Sequence, residues 1–271
     1  MKFCRFLPRE TATSKTVFAL HGLIEGEQIR EISDAPWGPW SPGTRMWPVD
    51  HVRLLAPVAP SKIVCIGRNY AAHAAELGNE VPPEPLLFLK APSTIIGPDD
   101  PIVLTRYSEQ VDHEGELAVV VGKPCTQLRE ADDPGHYILG YSCLNDVTAR
   151  DLQKKDVQFT RAKSFDTFCP VGPHIETDIN PAAVLVETRV NGDLRQSANT
   201  SLMMYPAAFL IRWVSQMMTL NPGDVIATGT PAGVGRLAPG DTVEVKIAGI
   251  GGLRNPVHPP QLQFRAPHLF R

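Results

Sequence analysis

The segment Asp112-His113-Glu114-Gly115-Glu116-Leu117-Ala118-Val119-Val120-Val121-Gly122 constrains the fold more than any other. Two carboxylates, Glu114 and Glu116, head an otherwise apolar run. That run is too short for a buried helix and rich in valine, so it predicts a buried β-strand. Residues two apart on a strand share a face, so both carboxylates aim into one space and His113 points the other way. Partly desolvated anions placed side by side repel each other. A hard divalent cation with oxygen ligands relieves that repulsion. Glutamates facing water at a strand start are the plainer alternative.

Further along, a strand-like run from Leu139 ends in Asn145-Asp146, and a helix is expected next, with Asp146 or Thr148 able to cap it. Asp146 is either that N-cap or, from the same strand-to-helix junction, a third oxygen ligand. Arg150 and Gln153 follow one turn apart on one helix face and suit a substrate carboxylate, or else form a solvated face. His73 and Glu76, three apart in the helical stretch Tyr70–Leu77, form a second chemical pair. A carboxylate that orients a histidine makes a better base; an exposed surface pair is the alternative. Gly67 and Gly78 flank this stretch and permit a segment that closes over substrate.

Seven blocks, in order, resemble the fumarylacetoacetate hydrolase family in its smaller acylpyruvase-like branch. They are Ile66-Gly67-Arg68-Asn69-Tyr70-Ala71-Ala72-His73, Phe88-Leu89-Lys90-Ala91-Pro92-Ser93, His113-Glu114-Gly115-Glu116-Leu117, Asn145-Asp146-Val147-Thr148-Ala149-Arg150-Asp151, Ala162-Lys163-Ser164-Phe165-Asp166, Val190-Asn191-Gly192 and Thr228-Gly229-Thr230-Pro231-Ala232-Gly233-Val234-Gly235. The resemblance implies a mixed α/β, β-rich fold, a β-roll or barrel-like core with flanking helices. It also implies a homodimer. It implies Mg²⁺ or Mn²⁺ held by Glu114, Glu116 and Asp146, and water activation by a His73–Glu76 dyad on a mobile lid. An inward Lys163 stabilises an oxyanion. Arg68, Lys90 and Thr230 join Arg150 and Gln153 as substrate contacts. The expected reaction is metal-dependent C–C hydrolysis of a short 2,4-dioxo acid to pyruvate and a carboxylic acid. Oxaloacetate-type decarboxylation and hydroxydienoate isomerisation or tautomerisation stay open on the same fold, as does a dicarboxylate binder without turnover.

The 26 prolines and 21 glycines in 271 residues favour short strands and turns over long helices. A net charge of -3 gives no polycationic surface for nucleic acid. No apolar run reaches membrane-spanning length and no signal-peptide pattern opens the chain. The five scattered cysteines form no CxxC pair, so a reduced cytoplasm is the expected compartment. Neither a GxSxG elbow nor a Walker A loop is present. Residues 1–57 read as a small N-terminal β appendage and linker, with strand-like pieces at Thr16–Leu23 and Gln28–Ile32, and residues 58–271 as the catalytic domain. Tyr205–Met218 has the apolar spacing of an amphipathic helix. The Pro- and His-rich stretch from Asn255 to Arg271 is expected to be a surface extension.

Overall fold

The computed structural model describes residues 1–9 and 18–260. Its centre is the strand Gly115–Val121, buried along its whole length. The unbroken apolar run has a simple cause: both faces of this strand are covered. Leu117, Val119 and Val121 pack into one cluster with Leu210, Ile211 and Val214, while Ala118 and Val120 pack into another with Ile63, Cys65, Val171 and Val225. The helix Ala207–Ser215 supplies part of the first cover, inside the span expected to be amphipathic.

Gly115–Val121 lies within a 12-stranded sheet, between Ile138–Asn145 and Val225–Ala227. Beyond Val225–Ala227 come Ile63–Gly67 and then Leu86–Lys90. The other wing runs through Cys169–Glu176, Lys2–Pro8, Leu20–Glu25 and Gln28–Ile32 to Pro42–Pro48. The N-terminal strands thus continue the same sheet, with Phe3 paired to Ile175. Trp37 and Trp40 pack against the second cluster. A five-stranded sheet, Asp193–Asn199, Leu185–Val190, Thr242–Ile247, Gly251–His258 and Ile102–Val103, covers the first. The molecule is therefore mixed α/β and strand-rich, and its helices are few and short.

One pairing sets the site. Val225–Ala227 runs parallel to Ile63–Gly67, so both strands end on the same side. Their opposite ends are clasped by Asp224, a fully buried carboxylate that accepts from the Ser61 and Lys62 backbone N–H groups, the Ser61 hydroxyl and Lys62 Nζ at 2.6 Å.

Two sequence expectations shift. The first strand-like piece is Leu20–Glu25; Thr16 and Val17 lie outside the described residues. The proposed surface extension begins too early: Gly251–His258 is a strand, and Asn255 is buried, its side-chain amide donating to the carbonyls of Gly97 and Asp100. Residues 261–271 lie outside the described residues. All five cysteines are buried free thiols. Among the described residues no helix is long and apolar enough to cross a membrane.

Candidate active site

Glu114 and Glu116 flank Gly115 at the head of the central strand, and both are buried. Asp146 follows the neighbouring strand Ile138–Asn145. One oxygen from each of the three carboxylates lies within 4.8 Å of the others. His113 turns instead to Gln196, its Nδ1 lying 3.3 Å from the amide oxygen.

The capping role considered for Asp146 and Thr148 is not used. The helix α2 starts later, at Arg150–Lys155, with Ala149 at its cap position and no side-chain cap. Val147 and the two-residue strand Thr148–Ala149 separate Asp146 from that helix, which frees its carboxylate for the cleft. There it accepts from Lys90 Nζ at 2.6 Å and Lys163 Nζ at 2.7 Å. Lys163, on the short helix Thr160–Lys163, also donates to Glu114 at 2.8 Å. Both lysines are buried.

Arg150 also departs from the picture of a free cation on a helix face. It is buried; its guanidinium donates to Asp112 at 2.9 Å, to Glu114, and to Gln153 at 2.6 Å. Asp112 thus belongs to the site's charge balance, a role the sequence left unsuspected. Thr230 is committed as well: its hydroxyl donates to the Gly115 carbonyl at 2.9 Å and accepts from Gln196.

These pairings distribute charge unevenly. Burial pushes the Glu114 carboxyl up, but Lys163 and Arg150 outweigh it and hold the group below the usual carboxylate range. Burial pushes Lys163 down, and Asp146 with Glu114 outweighs that and holds it above the usual lysine range. Glu116 has no cation partner among the described residues, and its carboxylate accepts one backbone N–H, from Gly229 at 2.7 Å. Burial, then repulsion from Asp146 and Glu114, raises it well above the usual range. Three buried carboxylates with converging oxygens, one of them uncompensated, fit a hard divalent cation.

A cavity of about 200 Å³ opens onto the trio. The helix α1, Ala71–Glu76, places His73 in its wall, 5 % exposed. His73 Nδ1 lies 3.4 Å from Glu76 Oε2, and Glu76 Oε1 accepts from the Gly233 N–H at 2.9 Å. Burial lowers the imidazole below its ordinary value, beyond what Glu114 and Glu76 restore. The neutral ring is therefore the resting form near pH 7. Arg68 and Lys154 also line the cavity, and neither side chain has an ion-pair or hydrogen-bond partner among the described residues. Arg68 adopts φ 56°, a left-handed conformation uncommon for a non-glycine residue and typical of strain stored at a ligand site. Thus the cleft brings together Arg68, His73, Glu114, Glu116, Asp146, Arg150, Gln153, Lys163 and Thr230. Lys90 and Glu76 sit behind this wall, holding Asp146 and His73.

A strand-rich fold that buries an oxygen trio beneath a His–Glu helix finds close parallels. The fumarylacetoacetate (FAA) hydrolase C-terminal family matches residues 62–258, and an Rv2993c-like N-terminal family matches residues 1–57. The chain belongs to the fumarylacetoacetate hydrolase family. Oxaloacetate tautomerase YisK of Bacillus subtilis is 45% identical over 232 residues, covering 79% of this chain and 76% of that protein. Among solved structures, 2-hydroxyhepta-2,4-diene-1,7-dioate isomerase from Mycobacterium marinum is 44% identical, with a TM-score of 0.83 over 96% of this chain and 98% of its own. Maleylpyruvate hydrolase from Sphingobium, solved with manganese(II) and pyruvate, is 31% identical, with a TM-score of 0.77 over 96% of this chain and 100% of its own.

Proposed function

We propose that the site interconverts the keto and enol forms of a short 2-oxo dicarboxylic acid of the oxaloacetate type, with Mg²⁺ or Mn²⁺ as cofactor. The observation that carries this reading is the buried His73, its Nδ1 3.4 Å from Glu76, in the wall of a cavity of about 200 Å³ that three carboxylates also line. That volume is below the roughly 300–1,000 Å³ of sites for drug-sized ligands and suits a short acid. The name of the Bacillus relative supports the same chemistry.

Held by Glu114, Glu116 and Asp146, a divalent cation supplies a Lewis acid for the carbonyl oxygen of the oxo acid. This chain's residues do the rest. With its Nδ1 proton directed at Glu76, His73 presents the Nε2 lone pair as the base. Nε2 takes the proton from C3 of the keto acid, and the imidazolium returns it to the enol oxygen; the reverse order runs the reaction backwards. Lys163 keeps its charge beside the trio and stabilises negative charge developing in the substrate. Arg68 and Lys154 receive a carboxylate, since their charges are not spent on partners among the described residues.

Hydrolysis of a C–C bond in a 2,4-dioxo acid is the second reading, favoured by the His73–Glu76 pair, which suits activation of water, and by the maleylpyruvate hydrolase likeness. Enol absorbance with freshly dissolved oxaloacetate, read beside pyruvate release from a panel of 2,4-dioxo acids, separates the two. Accelerated decay of the enol, lost with EDTA and restored by Mg²⁺ or Mn²⁺, is expected. Pyruvate release with no effect on the oxaloacetate enol would overturn the first reading in favour of the second.

A further inference from the structure

The hairpin Asn191-Gly192 joins the strands Leu185–Val190 and Asp193–Asn199, and the second strand carries Gln196, buried to 1% exposure. Its side-chain amide uses both ends. Oε1 accepts from the Gly115 N–H at 3.0 Å and lies 3.3 Å from His113 Nδ1. Nε2 donates to the Pro231 carbonyl at 2.8 Å and to the Thr230 hydroxyl at 2.7 Å. The orientation is forced, because the Gly115 N–H can only donate and the Pro231 carbonyl can only accept.

These two partners belong to different halves of the site. Gly115 lies between the carboxylates Glu114 and Glu116. Pro231 lies in the turn whose Gly229 N–H meets Glu116 and whose Gly233 N–H meets Glu76, the carboxylate beside His73. That turn is seated on the same strand: a Cβ added at Gly233, where φ is 99°, would fall 2.1 Å from the Arg195 carbonyl oxygen. From this we infer that Gln196 is a positioning residue that sets the spacing between the carboxylate trio and the His73–Glu76 pair. It touches no substrate, and it acts through the turn at 229–233. The inference rests on the reading above that His73 is the base.

The test is a double-mutant cycle with hydrogen exchange read alongside. Gln196→Met keeps the volume and removes every hydrogen bond. With oxaloacetate and Mn²⁺ it is expected to lower kcat roughly 10–100-fold, the scale of a displacement near 1 Å. KM is expected to stay within about threefold, because the residues that meet substrate are unchanged. Added to His73→Ala, it should slow turnover by no more than about twofold, since both changes remove the same step. In the metal-free protein, amides of 70–78 and 229–235 should exchange at least roughly tenfold faster, while those of 116–121 stay protected. Gln196→Glu keeps an acceptor for the Gly115 N–H but sets a second acceptor against the Pro231 carbonyl, so it should lower kcat as Gln196→Met does; it replaces Gln196→Met throughout if that variant does not fold. Wild-type kcat in the variants, full additivity with His73→Ala, or unchanged exchange at 70–78 would each overturn the inference. If the wild-type protein transforms no oxo acid, the functional reading fails instead, and the exchange pattern alone decides whether Gln196 places the turn.

Discussion

Glu116 is the carboxylate of the trio with no ion pair among the described residues, and burial and its neighbouring carboxylates work against its charge. Glu116→Gln keeps an oxygen for the Gly229 N–H and removes the repulsion from Asp146 and Glu114. The metal-free variant is expected to melt higher than wild type, while Mn²⁺ binding by calorimetry weakens by roughly 10–100-fold or more; stability and function pull in opposite directions here. Gly115 answers a constraint of space. A Cβ there would fall 2.0 Å from Thr188 Oγ1 and 3.3 Å from Val245. Gly115→Ala is expected to lower stability by about 1–3 kcal/mol, as overpacking does. Denaturant midpoints should show partial recovery when Thr188→Ala is added, since the Thr188 hydroxyl is buried without a partner among the described residues. The convergence of Glu114 and Glu116 was legible because a strand's period of two puts them on one face. Asp112, Gln196 and the Gly229 N–H were not legible, because their roles depend on pairings between distant segments.

At the scale of elements, α1 is a short helix with no side-chain cap at its start, tied down at its end by the Glu76–Gly233 hydrogen bond. Its composition made it readable as a helix; where it docks could not be read, because the turn that receives it lies some 160 residues away. The same distance effect hid the hydrogen bonds that tie Thr230 to Gly115 and Gln196. If His73 is the base, His73→Ala should lower kcat roughly 10²–10⁴-fold while Mn²⁺ affinity is nearly kept. The pH profile carries the sign. Burial depresses the imidazole, so the neutral base persists below its ordinary range. The acid limb of kcat/KM is expected to fall below pH 6.5, and a limb centred at or above the ordinary imidazole value would count against this assignment.

For the molecule as a whole, two histidines away from the site add to the response to acid, while the raised Glu116 works against them. Burial lowers His21 and His174 to about 4, with Arg5 and Lys2 respectively adding to the effect. They sit on Leu20–Glu25 and Cys169–Glu176, either side of Lys2–Pro8. Between about pH 6.5 and 4 the unfolded chain takes up protons that the folded chain refuses, so stability falls as pH falls, by up to about 1.4 kcal/mol per pH unit for each group. Urea midpoints across that range should drop, and His174→Gln should flatten the slope. The sheet itself was readable as many short strands bounded by proline and glycine turns, but its order was not, since it depends on pairings far apart in the chain. The Asp224 clasp makes that remoteness consequential. It joins the ends of two parallel strands roughly 160 residues apart, and at their other ends stand Arg68 and the Thr228–Thr230 turn. A chain emerging in order completes the Glu114 strand long before Val225 exists to pair with it. The carboxylates thus lie early in the chain and the strand that completes their cavity lies late, so the burial of their charge waits on the last crossing.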